Sequence, residues 1–447
     1  MDRIIIIGAG LVGSLLSVFL AKKGYKVDVY ERHPDIRQMT AEHGRSINLT
    51  LCDRGFKALD RVGIGELIRS IAVPAYGRLI HDVKGKLVYQ PYGNNNEAIY
   101  SISRTDLNRA LLDFAERNDN VNFYFNQKCV GINLAETTVE IKNLETETVT
   151  LQKADRLFGC DGAHSVIRMQ MQRTSRFNYS QQYWEQGYKE LCVPADVTAS
   201  WAREKNVLHI WPRSNYMLIG FPNNDGSFTC SLHIPFEGKI SYEAIRTEQD
   251  LRSLFKSAFP DVVDVLPHLV EDFFTNPPNT MITIKCWPWT FKDKAALIGD
   301  AAHSIYPSYG QGANAGFEDC QTLYECIDRH GEDWGVILSQ YQRLRKPNTD
   351  AIADLCVDHF VELRDLVGDP VFLLRKEIER KINQMYPDRY KDLYSMITFT
   401  CMPYTEALRT DCEQRAIVDC IMRIEGVRDK LNSPEVESLI NQRMQSR

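Results

Sequence analysis

The sequence lacks any long hydrophobic run. No stretch approaches the ~18 consecutive apolar residues that span a bilayer. It also lacks a basic excess. With 53 Lys and Arg against 59 Asp and Glu, the net charge is -6, so no positive field is available to hold nucleic acid or an anionic membrane. The 12 cysteines are scattered, without a C-x-x-C pair. That argues against a metal site or a disulfide framework and reads as reduced, structural thiols of a cytoplasmic protein. There is no low-complexity linker and no internal repeat. No signal peptide or C-terminal membrane anchor is expected. The first apolar run is short and lies inside a βαβ pattern, and residues 415–447 are charged and helix-like. At 447 residues, 44% hydrophobic and 25% charged, the chain has the composition of an ordinary globular protein of two or three domains.

What is present begins at the first strand. The apolar run Ile4 to Ile7 is followed by Gly8-Ala9-Gly10-Leu11-Val12-Gly13, then by helix-like sequence from Ser14 to Lys23. A second strand, Lys26 to Tyr30, ends at Glu31. This is the dinucleotide-binding βαβ fingerprint in its full context. Gly8 permits the tight turn, Gly10 lets the backbone approach a pyrophosphate, and Gly13 lets the helix pack on the strand. The helix N-terminus offers free N–H groups to the phosphates. Glu31 stands where a carboxylate accepts from both ribose hydroxyls. An acid there disfavours a 2′-phosphate, so the bound dinucleotide is expected to be FAD or NAD rather than NADP.

Two further turns repeat the theme. Asp161-Gly162 and Gly299-Asp300 each follow an apolar strand and precede a helix-prone segment. Open α/β sheets bind ligands at the carboxyl ends of their strands, so both turns fall beside the first. Between them, residues 180–285 alternate apolar and polar residues and read as a mostly antiparallel sheet, with a helix at Glu248 to Phe259. From about Gly316 onward the helical period dominates. The expected fold is α/β: a Rossmann-type FAD-binding domain in three parts (1–70, 101–178 and 289–345). Strands at 71–100 and a substrate-binding β-sheet domain at 179–288 are inserted into it, and a helical region at 346–447 follows.

This three-motif set resembles the single-component FAD-dependent aromatic hydroxylases. Four further segments narrow the resemblance: Gly44 to Leu49, Arg176 to Tyr183, Leu208 to Arg213 and Asn314 to Cys320 are similar to segments of the kynurenine 3-monooxygenase family, especially its soluble bacterial members. The resemblance runs to about Ile421. It implies noncovalent FAD, and NADPH as a transient co-substrate with no Rossmann unit of its own. It also implies O2 activation through a flavin C4a-hydroperoxide and hydroxylation of a small aromatic amino acid, L-kynurenine to 3-hydroxykynurenine. An apolar closed pocket protects such chemistry from water. The flavin ligands implied are Gly8, Gly10, Leu11, Val12, Gly13, Glu31, Arg45, Arg104, Cys129 through its backbone, Asp161, Asp300, Gly312, Ala313 and Asn314. The substrate's carboxylate would be held by Arg78, Tyr92 and Tyr394, guanidinium being a bidentate match for it.

The chain departs from the family at a few positions. His359 stands where an Asn usually completes the carboxylate site, His233 where a Phe is usual, Ser308 where a Phe follows the proline, and Ala313 where a Met is usual. These changes suggest a more polar ring pocket, and with it an alternative substrate, another carboxylate-bearing aryl amine or phenol. A reductase or dehydrogenase is disfavoured because no second GxGxxG is present. If His359 faces a carboxylate, it is expected to favour imidazolium and to strengthen binding of an acidic substrate as pH falls.

Overall fold

The computed structural model describes residues 2–39, 47–92, 97–196, 204–362 and 369–445. A six-stranded sheet carries the dinucleotide fingerprint. Its strands run in the order Thr290–Phe291, Ala295–Leu297, Arg156–Gly159, Arg3–Ile7, Lys26–Tyr30 and Val121–Tyr124. All neighbours are parallel except the pair at the Thr290 edge. Both faces of such a sheet are covered, which is why its strands read as unbroken apolar runs. Ile4, Ile5 and Ile6 are fully buried, in one core with Leu15, Phe19 and Phe158.

The order places the strand ends Ile7, Gly159 and Leu297 side by side. The three motifs that follow them therefore share one edge of the sheet. The first helix spans Leu11–Ala21 rather than starting at Ser14, because Gly10 is extended and serves as its cap. The fingerprint residues Leu11 to Gly13 are thus the helix's first turn, with their amides at its open end.

A seven-stranded sheet forms the second body. Its order is Asn279–Trp287, Asn178–Val193, Phe228–Pro235, Tyr216–Pro222, Leu208–Arg213, Gly77–His81 and Leu87–Pro91. One face, carrying Trp211, Leu218 and Leu232, packs on the helices Glu248–Ala258 and Leu269–Thr275. Alternation turns their neighbours to the opposite face. His233 is registered with Tyr188 and Met217 there. Arg78 is registered with Leu208 in the sheet's parallel pair and shares that face.

The segment 71–100 divides between two sheets. Gly77–His81 and Leu87–Pro91 extend the large sheet, whereas Val73–Ala75 and Ile99–Ser103 pair in a three-stranded sheet with Asn48–Leu51. C-terminal helices Trp334–Val361, Leu393–Thr398 and Tyr404–Met422 supply the remaining wall, where Tyr306, Ile352, Met396 and Tyr404 form a further core. Residues 415–447 are not one helix. The helix Tyr404–Met422 ends first; Gly426, at φ 67°, opens the short helix Val427–Lys430, and a further helix starts at Pro434. No helix among the described residues is long and apolar enough to cross a membrane.

Candidate active site

The glycine turn has the shape a pyrophosphate requires. Gly8 has φ +101°, and a Cβ there would meet the Cys160 carbonyl at 2.5 Å. A Cβ on Gly13 would lie 1.9 Å from the Gly8 carbonyl oxygen. Gly10 is different: a Cβ there would meet nothing within 4 Å. Its space is open toward the helix N-terminus, as a ledge for phosphate. Glu31 Oε2 accepts from the Ala9 amide at 2.9 Å and Oε1 from the His33 amide at 2.9 Å. The acid thereby locks the turn, and each oxygen keeps a lone pair for a ribose hydroxyl.

The other two motifs close on the same region. Val12 packs beneath Gly299 and Gly316: its Cγ2 lies 3.0 Å from where a Gly299 Cβ would stand and 2.6 Å from that of Gly316. Asp300 keeps an exposed side chain in a recess deep enough that burial lifts its carboxyl pKa, an effect opposed chiefly by the charge of Arg104. Arg104 heads the helix Arg104–Ala115, capped by the Ser103 hydroxyl, and so reaches across to Asp300 from another part of the chain. Asp161 Oδ2 accepts from the Val166 amide at 2.7 Å, while Oδ1 is buried without a hydrogen-bond partner among the described residues. Burial raises its carboxyl as well. Cys129 adjoins Asp161 electrostatically and lies where the register of Gln127–Asn133 slips against its neighbour. The slip frees local backbone for a ligand.

Gly312, Ala313 and Asn314 open the helix Gly312–His330, so their amides lack intrahelical partners. The Asn314 side chain is committed elsewhere. It accepts from the Cys52 amide at 3.1 Å and donates to the Thr50 and Gly310 carbonyls at 2.9 Å. Asn314 therefore offers a ligand its backbone only. Arg45 lies outside the described residues. An orphaned acid oxygen, an open glycine ledge and an exposed acid opposite an arginine together fit a flavin dinucleotide.

One acid joins these parts and was not singled out from sequence. Asp319 is fully buried. It accepts from the Gly299 amide at 3.0 Å, from His303 Nε2 at 2.5 Å and from Arg345 Nε at 2.6 Å. It ties the Gly299-Asp300 turn to two helices. The only sequence signal was its presence in the segment Asn314 to Cys320.

The carboxylate-binding candidates converge from four segments. The Arg78 guanidinium carbon lies 4.6 Å from the Tyr394 ring centre and 5.2 Å from that of Tyr92. The two rings stack on each other at 5.5 Å. Burial opposes the charge of Arg78, but the two phenol oxygens outweigh it and hold its pKa above the ordinary value. His359 reaches the same box through Tyr309, whose ring centre is 4.2 Å from the imidazole and 5.8 Å from Tyr394. Tyr309 and Phe399, which contacts both Tyr92 and Tyr394, were not anticipated. Tyr309 lies beside the departure at Ser308, and that adjacency was the available signal.

The three polar departures have definite surroundings in the substrate-free protein. His359 does not carry an imidazolium in the free protein: burial first, then the charges of Arg78 and Lys376, push its pKa down to about 3. Its Nδ1 is buried with no partner among the described residues. The Ser308 hydroxyl donates to the Cys356 carbonyl at 2.7 Å, so its proton is committed to the helix Trp334–Val361 while its oxygen keeps acceptor capacity. His233 lies with its ring centre 5.7 Å from that of Tyr188 and is bonded through Nε2 to Ser231 Oγ at 3.0 Å. Burial lowers its pKa to about 4.

Residues 2–355 match the family described as FAD binding domain. The structure of a tetrameric 2-methyl-3-hydroxypyridine-5-carboxylic acid oxygenase superposes with a TM-score of 0.67 at 19% identity, over 83% of this chain and 95% of that one. Fold, cofactor cleft and family together define a flavoprotein monooxygenase that uses FAD and NADPH. A kynurenine 3-monooxygenase of Flavobacterium johnsoniae is 48% identical over 443 residues, 99% of each chain. One of Dictyostelium discoideum is 38% identical over 94% of this chain and 93% of its own. The chain belongs to the kynurenine 3-monooxygenase family.

Proposed function

We propose that this enzyme hydroxylates L-kynurenine to 3-hydroxykynurenine with NADPH and O2, in the cytoplasm. The observation that carries the reading is the partly buried box of Arg78, Tyr92 and Tyr394. A guanidinium kept charged in a deep recess, flanked by two phenols, is a receptor for the carboxylate of a small amphipathic acid. All twelve cysteines are free thiols, in keeping with a reducing compartment.

FAD, when bound and reduced by NADPH, would supply the electrons that activate O2. The chain's own groups bind, orient and exclude water. Gly10, Glu31, Asp161 and Asp300 hold the dinucleotide, with Arg45, Arg104, the Cys129 backbone and the amides from Gly312 to Asn314 as further contacts. Arg78, Tyr92 and Tyr394 fix the substrate's carboxylate and so set the distance of its ring from the flavin. Trp184, Tyr306 and Phe360, with ring centres 4.7–6.0 Å apart, form an aromatic cluster that would help exclude water from the reaction. His359 faces the carboxylate as a neutral imidazole, a single donor.

A second reading has its own support. His233 adds an imidazole to the sheet face beside Tyr188 and Met217, which favours a more polar aryl amine or phenol that still bears a carboxylate. The test is one experiment. The FAD-loaded enzyme is given NADPH, O2 and a panel of aryl amines and phenols, and both NADPH loss and hydroxylated product are measured. Stoichiometric 3-hydroxykynurenine from L-kynurenine supports the first reading. Uncoupled NADPH oxidation with kynurenine, and coupled turnover of another acid, replaces it with the second.

A further inference from the structure

NADPH must dock on this protein, yet the chain has one dinucleotide fingerprint, and the FAD site occupies it. A separate groove of about 620 Å³ lies between the start of the long strand Asn178–Val193, the end of Asn279–Trp287 and the helix Trp334–Val361. Its size is in the range of small-molecule sites. Three cations line it, Lys285, Arg343 and Lys346, together with the aromatic rings of Tyr179 and Trp287, and no acid does. Lys285 and Lys346 are steadied from outside by Asp354 and Asp350. Arg343 is exposed, and the Trp287 indole is only partly covered. Among the described residues neither side chain has a hydrogen-bonding, ionic or ring partner. An unpaired guanidinium beside an unstacked indole is a combination that recognises a phosphate next to a heteroaromatic base.

The groove also lies next to the flavin cleft. Cys286 in its floor donates its thiol to the Ala302 carbonyl at 3.2 Å, and Ala302 belongs to the short helix Asp300–His303. Tyr179 carries the Arg168 guanidinium 5.2 Å above its ring, and Arg168 donates to the Ala301 carbonyl at 2.9 Å. One residue layer therefore separates groove and motif. The geometry points to this groove as the docking site for the adenosine phosphate half of NADPH. Arg343 and Lys346 take the 2′-phosphate, and Trp287 stacks on the adenine.

The inference rests on the NADPH-dependent monooxygenase reading, but its test needs no aromatic substrate. The FAD-loaded enzyme is titrated with 2′,5′-ADP by calorimetry, and the KM for NADPH is measured in the wild type, Arg343→Gln, the Arg343→Gln/Lys346→Gln pair and Trp287→Leu. FAD content verifies folding. Expected are at least tenfold weaker 2′,5′-ADP binding and a matching rise in NADPH KM, with kcat at saturating NADPH retained. Arg343→Lys should recover part of the loss, and discrimination against NADH should shrink in Arg343→Gln. Unchanged 2′,5′-ADP affinity in the double variant, with FAD content intact, would overturn the assignment.

Discussion

The Arg78 guanidinium sits 4.6 Å from the ring centre of Tyr394, a contact between an early strand and a helix near the C-terminus. Neither residue makes a receptor alone. The strand supplies the charge, and the helix Leu393–Thr398 supplies a lid of aromatic surface over it. The Arg78 box is thus completed only when the C-terminal helices dock on the sheet.

Arg78→Ala should leave flavin content and the fold intact while weakening substrate binding by about 1.5–3 kcal/mol, the usual worth of a charge-assisted hydrogen bond. Titration of the flavin spectrum with substrate measures it. Overlaid curves for variant and wild type would remove Arg78 from the site.

In the substrate-free protein His359 should not titrate near neutrality. With its pKa lowered to about 3 by burial and by Arg78, its imidazole should stay neutral from pH 6 to 8, which an NMR titration of the free protein checks. Stability behaves differently. His359 and His233, at about 3 and 4, bind protons in the unfolded chain near the ordinary histidine pKa but not in the folded one. Stability is therefore greatest above about pH 6.5 and falls as pH drops from there toward 4. Urea unfolding across that range should show the decline. A double variant, His233→Phe with His359→Asn, should show less of it.

Asp319→Asn should loosen FAD without touching it. The carboxylate holds the Gly299 amide, His303 and Arg345 together. Breaking such a buried pair costs about 3–5 kcal/mol. Expected are a lower melting temperature and a reduced FAD-to-protein ratio after gel filtration. Retention of both would make Asp319 dispensable.

The parts of the site legible in sequence were those fixed by local backbone rules. A glycine turn between strand and helix, and an acid at the next strand end, carry their geometry in their spacing. Parallel pairing then puts Ile7, Gly159 and Leu297 at one edge, so the three motifs had to meet. What stayed hidden depends on long-range packing. Asp319 looks like any helix acid until Gly299, His303 and Arg345 close on it. The neutrality of His359 follows from burial against Arg78, which no single segment contains. That the Ser308 hydroxyl donates to the Cys356 carbonyl, on another helix, is likewise invisible in any one segment.

The glycine turn itself offers the sharpest separation of folding from cofactor binding. At Gly13, an added methyl would stand 1.9 Å from the Gly8 carbonyl oxygen. That atom is backbone in the tightest turn of the sheet and cannot yield without moving the first strand. Gly13→Ala should therefore destabilise the whole FAD domain and give little soluble protein. At Gly10, an added methyl meets no protein atom within 4 Å, and the residue is already extended, with φ -71° and ψ -175°, a conformation alanine adopts freely. Gly10→Ala should fold, with an apoprotein melting temperature like that of the wild-type apoprotein. Its methyl would occupy the ledge where a pyrophosphate approaches the helix amides. FAD affinity should then fall at least tenfold, read from the quenching of free flavin fluorescence on reconstitution. Equal FAD affinity in a well-folded Gly10→Ala protein would place the pyrophosphate elsewhere, and the cradle built on Gly10, Glu31 and Asp300 would have to be abandoned.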